Sequence, residues 1–289
     1  MSFSILLLRI FVHMTLNRWL WAVMVAFTQL TFSQEIQDNA SPKKIAFPSI
    51  ANHAFSGGEW LKFRIHYGIF NASYATIEVN ETIWEGKLVY HAKGVGRTTG
   101  FARWFFKVDD YYDSYFTKGN IRPLFFIRNI NEGGYKKHVT IRFYHENNKA
   151  FVDNKLQKMQ GTLDTEPNIQ DLISCFYYLR NAFDISEIKK DDFVVVNLFF
   201  DESNYAFKFK FLGNEIIKTK FGFVKTFKFR PYVQSGRVFR SNESITLWVS
   251  SDKNRIPLRL QATLRVGNIT ADLDEFKGLK NPFEIVVKN

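Results

Sequence analysis

The chain has 289 residues, 46% of them hydrophobic and 17% aromatic, with a formal net charge of +11. That is enough apolar material to bury a full core, which excludes a disordered protein, and the 31 Phe and 12 Tyr favour strands over helices. A single cysteine, Cys175, excludes an intrachain disulfide and any Cys-based metal spacing; burial as a small apolar side chain is expected of it.

Residues 1–33 read as a secretory leader. Arg18 precedes the apolar run Trp19–Phe27, and Thr31-Phe32-Ser33 supplies small-x-small cleavage before Gln34. Met14 is an alternative start, because it would open a leader of ordinary length. The apolar run is short for a membrane span, which needs about 20 residues, so no transmembrane anchor is expected after cleavage. Removing Arg9 and Arg18 with the leader leaves a net charge of +9. Residues 34–45 are polar and predict a flexible lead-in, and residues 46–289 contain no linker-like stretch, which predicts a single β domain.

Within that domain the period is two. Leu61, Phe63, Ile65 and Tyr67 alternate with Lys62, Arg64 and His66, and the same alternation recurs over 139–143, 207–211, 224–229 and 258–266. One apolar and one wet face per strand is the pattern of an antiparallel sheet. Turn signals fall at Asn71-Ala72-Ser73, Glu85-Gly86-Lys87, Lys118-Gly119-Asn120, Glu132-Gly133-Gly134, Gly213-Asn214 and Ser251–Asn254. Between Asp164 and Asp184 the period changes. Ile169, Leu172, Ile173, Phe176, Leu179 and Phe183 recur at three- and four-residue steps, which predicts one amphipathic helix over about 166–183, capped by Asp164 or Thr165 with Pro167 in its first turn. The fold class is therefore mainly β, a large curved antiparallel sheet or open half-barrel with one helix lying on it.

The residues offer little catalytic chemistry. His53, His66, His91, His138 and His145 form no recognised metal-binding pair, and neither a metal nor a cofactor is expected. Asp109, Asp110 and Asp113 form the densest acidic cluster, and paired carboxylates can perform glycoside hydrolysis, but adjacent strand residues point to opposite faces. No nucleophile elbow, phosphate loop or dinucleotide fingerprint is present. The aromatic clusters at 99–106 and 123–126 put bulk on both faces of the sheet, and the interleaved Phe and Lys residues read first as core and solvent faces. Nucleic acid is not an expected partner of an exported protein.

Together these segments resemble the bacterial exported family called domain of unknown function 3108. Gly58–Gly68 is similar to its opening strand, Asn131-Glu132-Gly133-Gly134-Tyr135 to its central turn, Ile169–Arg180 to its helix, and Ile245–Asp252 with Arg255–Leu258 to its closing hairpin. The resemblance spans nearly all of the chain beyond the leader. It implies a periplasmic or secreted protein whose curved sheet and helix are similar to those of the lipoprotein carriers LolA and LolB, and it implies no catalytic residues.

The resulting expectation is a non-catalytic envelope protein that binds a lipid, glycolipid or lipoprotein chain in the concavity of its sheet. The expected groove is bordered by Trp104, Phe105 and Phe106, with Tyr111 and Tyr112 at its rim and Arg103 and Lys107 meeting an anionic headgroup. Two rivals stand beside it: an enzyme acting on envelope polysaccharide through the acidic cluster, and an assembly partner using an exposed strand edge.

Overall fold

The computed structural model describes residues 52–182, 188–232, 245–264 and 267–287. The leader, the lead-in and Phe183 lie outside the described residues. Alternating side chains form strands from the outset: β1 (Glu59–Tyr67), β2 (Phe70–Trp84) and β3 (Lys87–Thr98) make a meander, followed by a short helix α1 (Gly100–Phe105). Then come β4 (Asp109–Thr117), β5 (Pro123–Glu132), β6 (Tyr135–Tyr144), β7 (Lys149–Asn154) and β8 (Met159–Asp164). Helix α2 (Leu172–Leu179) leads to β9 (Phe193–Phe200), β10 (Ser203–Thr219), β11 (Gly222–Tyr232), β12 (Ile245–Ser250), β13 (Pro257–Thr263) and β14 (Asn268–Lys277). Among the described residues no helix is long and apolar enough to cross a membrane.

All fourteen strands belong to one sheet, in the order β8-β7-β6-β5-β4-β3-β2-β1-β14-β13-β12-β11-β10-β9. Every neighbouring pair is antiparallel. Register shifts at Lys62/Phe63, Ile65/His66, Tyr115/Phe116, Phe211/Gly213 and Trp248/Val249 bend the strands. Bent and twisted, the sheet curls until its two edges approach, although β8 and β9 are not paired with each other. The Asn204 side-chain amide donates to the Asp164 carbonyl (2.9 Å), and Arg128 and Lys137 of the β5–β6 region both reach Asp201 at the β9–β10 turn. The gap is filled by residues 165–170. Gln170 forms an isolated parallel bridge with Leu198, its amide donating to the Asn197 carbonyl while the Phe199 amide donates to its own (both 2.8 Å).

That filling segment corrects the predicted helix. The helix begins at Leu172, not near 166, and has eight residues. Pro167 lies in the extended stretch, Asn168 adopts a left-handed φ of 56°, and the cap is Asp171. The Asp171 carboxylate accepts from the amides of Ile173 (2.8 Å) and Ser174 (2.7 Å), and Ser174 Oγ accepts from the Asp171 amide, a complete capping box. Ile169 carries the apolar period one turn too far upstream because it is a buried residue of the gap-filling segment. A second correction concerns 99–106, read above as sheet: its first six residues after Thr99 form α1. Two turn signals also fall inside strands. Asn71–Ser73 lies in β2, whose true turn is Gly68-Ile69, and Gly213-Asn214 is a bulge in β10.

Helix α2 enters the concave side and packs against β3, β4 and β9. Its approach requires Gly94 on β3, where an added Cβ would meet Ile173 Cδ1 at 3.0 Å. On one side of the helix the interior is filled: the Tyr177 ring packs against Phe55 (4.6 Å) and Phe116 (5.5 Å) at tilted angles, with Tyr90, Phe126, Ile141 and Val152 completing the core. Cys175 is buried, and burial pushes its thiol pKa well up.

Candidate functional site

On the other side of α2 the interior is hollow. A cavity of about 440 Å³ lies between the helix and strands β9–β13, closed at its back by β1 and β2. Leu172, Phe176 and Leu179 face it from the helix, Phe207, Phe229 and Leu247 from the far wall, and Phe63 and Ala75 from the back. Inward-pointing core residues are normally fully buried, yet Phe63, Leu172, Phe176, Leu179, Phe207, Leu247 and Leu260 are only half-buried. Small residues contribute to the space: among the larger lining side chains β12 and β13 present Val249, Pro257 and Ala262, and β2 presents Ala75.

The two ends of the cavity differ. Antiparallel pairing places the β1–β2, β5–β6, β7–β8, β9–β10 and β13–β14 turns and the β3–β4 connection at one end of the sheet, and the β2–β3, β4–β5, β6–β7, β10–β11 and β12–β13 turns at the other. At the latter end a buried ion pair sits under α2. Arg180 makes a bidentate contact with Glu59 (2.5 and 2.8 Å) and donates to the carbonyls of Asn254 (2.9 Å) and Ala54 (3.1 Å). Around it Asp252 Oδ1 accepts from Ser250 Oγ and the Asn254 amide, and the Asn254 side chain donates to the carbonyls of Asn281 and Pro282. Arg180 is thus fully committed to structure. At the β1–β2 end the lining reaches the strand termini, with Pro231 near the end of β11, Ile245 opening β12 and Ala262 near the end of β13.

The residues expected to border a groove are not brought together. Trp104 is 87% exposed on α1, Phe105 meets Phe101 of the same helix edge to face, and Phe106 is buried against Gly133, where a Cβ would lie 2.3 Å from its ring. Tyr111 points outward beside Arg97, whereas Tyr112 points inward toward Phe126, because neighbours on a strand face opposite ways. Arg103 is held by Asp109 (2.8 and 2.9 Å) and Lys107 lies 3.6 Å from the same carboxylate. None of the seven lines the cavity.

The acidic cluster is divided by the same alternation. Asp109 faces out to its basic neighbours, which hold its carboxyl below the usual range, and Asp113 faces out to His91 (2.8 Å). Asp110 turns inward, and its partner is Glu132 of β5, which the sequence spacing did not suggest. Burial and the adjacent Asp110 push Glu132 up to about 8. Asp110 is fully buried and Glu132 is 3% exposed. Asp171 is also raised, to about 6, by complete burial, in spite of its cap hydrogen bonds and one from Ser114 Oγ (2.6 Å).

These features define a class: an open antiparallel β half-barrel with an internal helix and an apolar cavity beside it. The family model "Protein of unknown function (DUF3108)" matches residues 62–274, and the chain belongs to that family. A β-barrel-like protein of the domain of unknown function DUF1849 from Brucella abortus is similar in fold, with a TM-score of 0.51 and 11% identity, over 79% of this chain and 100% of that one. A protein with a YmcC-like fold from Bacteroides fragilis aligns over 79% of this chain and 99% of its own at 7% identity, with a TM-score of 0.33. No curated protein sequence matches the chain.

Proposed function

We propose that this is an exported, non-catalytic protein of the bacterial envelope that holds the apolar chain of a lipid, glycolipid or lipoprotein in the cavity beside α2. One observation carries the reading: seven inward-facing apolar residues stay half-buried around about 440 Å³. Such a volume falls within the range of small-molecule sites, roughly 300–1,000 Å³. Unfilled apolar surface of this kind stabilises a complex by about 25 cal/mol per Å² covered, before association costs. The leader motif over 18–33 supports export. A non-catalytic role is supported by the division of the acidic cluster and by the burial of the Asp110–Glu132 pair away from the cavity.

Two measurements test this. Solvent extraction and mass spectrometry of protein purified from its native envelope should release an amphiphile from a chain beginning at Gln34. A fluorescent fatty-acid probe should bind the purified protein, and Ala75→Trp, which fills the cavity from its back wall, should weaken that binding at least tenfold without lowering Tm. A protein that carries no amphiphile and takes up no probe would overturn the reading, and an uncleaved cytoplasmic chain would remove its envelope setting.

A further inference from the structure

The β1–β2 end of the barrel carries a run of exposed apolar side chains on neighbouring tips. Ile69 and Phe70 at the β1–β2 turn are 89% and 71% exposed, and Phe101 and Trp104 on α1 are 72% and 87% exposed. The two elements are neighbours, since the Thr99 amide donates to the Ala72 carbonyl (3.1 Å). Farther along the same end, Tyr135 at the β5–β6 turn and Leu156 at the β7–β8 turn are 44% and 55% exposed. Single exposed apolar residues need no explanation, but a row of them on successive tips at one end does.

Basic charge accompanies them. The segments 68–70, 99–108, 133–136 and 155–159 carry Arg103, Lys107, Lys136, Lys155 and Lys158 and no Asp or Glu, and the acids of the β9–β10 turn at the same end, Asp201 and Glu202, are paired with Arg128 and Lys137. The turns at the opposite end, 85–86, 118–122, 145–148, 220–221 and 251–256, mix Glu85, Glu146 and Asp252 with Lys118, Arg122, Lys220, Lys253 and Arg255. Lys136, Lys155 and Lys158 are exposed and have no carboxylate partner among the described residues. Asp109, the first acid after α1, is already neutralised by Arg103 and Lys107.

We propose that this end is a docking surface for an anionic lipid bilayer, with Ile69, Phe70, Phe101 and Trp104 entering the interfacial layer and the lysines of the neighbouring turns meeting lipid phosphates. Trp and Phe projecting beside Lys and Arg is the chemistry that holds a peripheral protein in the headgroup region. The apolar groups sit on separate tips rather than on one flat face, which fits a yielding bilayer better than a second protein. The proposal does not depend on what the cavity holds, although the cavity lining reaches the strand termini at this same end.

The experiment is flotation of the purified mature protein with vesicles of phosphatidylethanolamine and phosphatidylglycerol, against phosphatidylcholine vesicles, at low and high salt. Binding should require phosphatidylglycerol and weaken with salt. Phe101→Ser with Trp104→Ser should reduce it at least tenfold, and Lys155→Glu with Lys158→Glu by a similar factor, since each basic residue near an anionic surface contributes about fivefold in affinity. Ile83→Ser with Leu88→Ser, an exposed apolar pair at the opposite end, should leave binding unchanged. Ala75→Trp should also leave it unchanged, which separates this proposal from cavity occupancy. Absence of binding to anionic vesicles, equal binding to phosphatidylcholine, or indifference to the Phe101/Trp104 pair would overturn it, as would a dimer that these two substitutions convert to monomer.

Discussion

The two sides of α2 are built from the same sheet and end differently. Facing β2–β7 the helix presents Tyr177, and the strands answer with Phe116, Phe126, Val139 and Ile141, all buried. Facing β9–β13 it presents Leu172, Phe176 and Leu179, and the strands answer with Phe207, Phe229 and Leu247 around the smaller Val249, Pro257 and Ala262, with a cavity left between them. Packing density in an ordinary core leaves no room for such a difference. One half of the barrel is a core, and the other is a container.

The largest expected effect lies between the halves, at Arg180. Arg180→Ala leaves Glu59 buried without its cation and removes donors from the Ala54 and Asn254 carbonyls. Breaking a buried pair typically costs about 3–5 kcal/mol. At about 2–4 °C per kcal/mol for a domain of this size, Tm should fall by roughly 6–20 °C. Thermal melts followed by circular dichroism would show this, and a loss under about 2 °C would mean that the network is dispensable.

Truncation then tests the halves directly. Phe116→Ala in the filled half should cost about 3–5 kcal/mol in urea unfolding. Leu260→Ala, on the wall of the cavity, should cost clearly less, about 1 kcal/mol, because the deleted atoms already face open space. Equal costs would contradict the contrast. Enlargement should reverse the ranking: Ala92→Leu, beneath the filled core, is expected to destabilise by about 1–3 kcal/mol, whereas Ala75→Leu should be neutral or raise Tm while reducing probe uptake.

The last expected effect is a pH dependence carried by Glu132 in the filled half. Glu132 is raised when folded, so between its unfolded pKa near 4.5 and its folded value of about 8 the native state binds the extra proton. This group's contribution is full below about pH 4.5 and declines as pH rises toward 8. Glu132→Gln, which keeps a donor for Asp110 without titrating, should flatten that slope and raise Tm at pH 8.5 relative to the parent protein. Parallel pH profiles for the two proteins would place the proton elsewhere.

Much of the wall was readable from local pattern. Alternation in Leu61–Tyr67 or Val139–Phe143 reports a strand with one wet face wherever it occurs, because side-chain direction in a strand follows from backbone geometry alone. Helix α2 was visible for the same reason, but its start was not: Ile169 continues the helical period while its backbone is used to fill the edge gap beside Leu198. Residues 99–106 misled in the opposite sense, since six residues without alternation say little about whether a short helix or a strand follows Thr99.

The sequence by itself determined the β class, the antiparallel alternation, the presence of one amphipathic helix and the opposite facing of Asp109 and Asp110, because each depends on near neighbours along the chain. Only the tertiary structure decided which inward faces meet. That Asp110 lies beside Glu132, that Arg180 reaches Glu59 across 121 positions, and that Ala75 and Ala262 line the same cavity as Phe176 depend on how far the sheet curls and where α2 enters it. A cavity is a deficit of volume between distant segments, and no local pattern records a deficit.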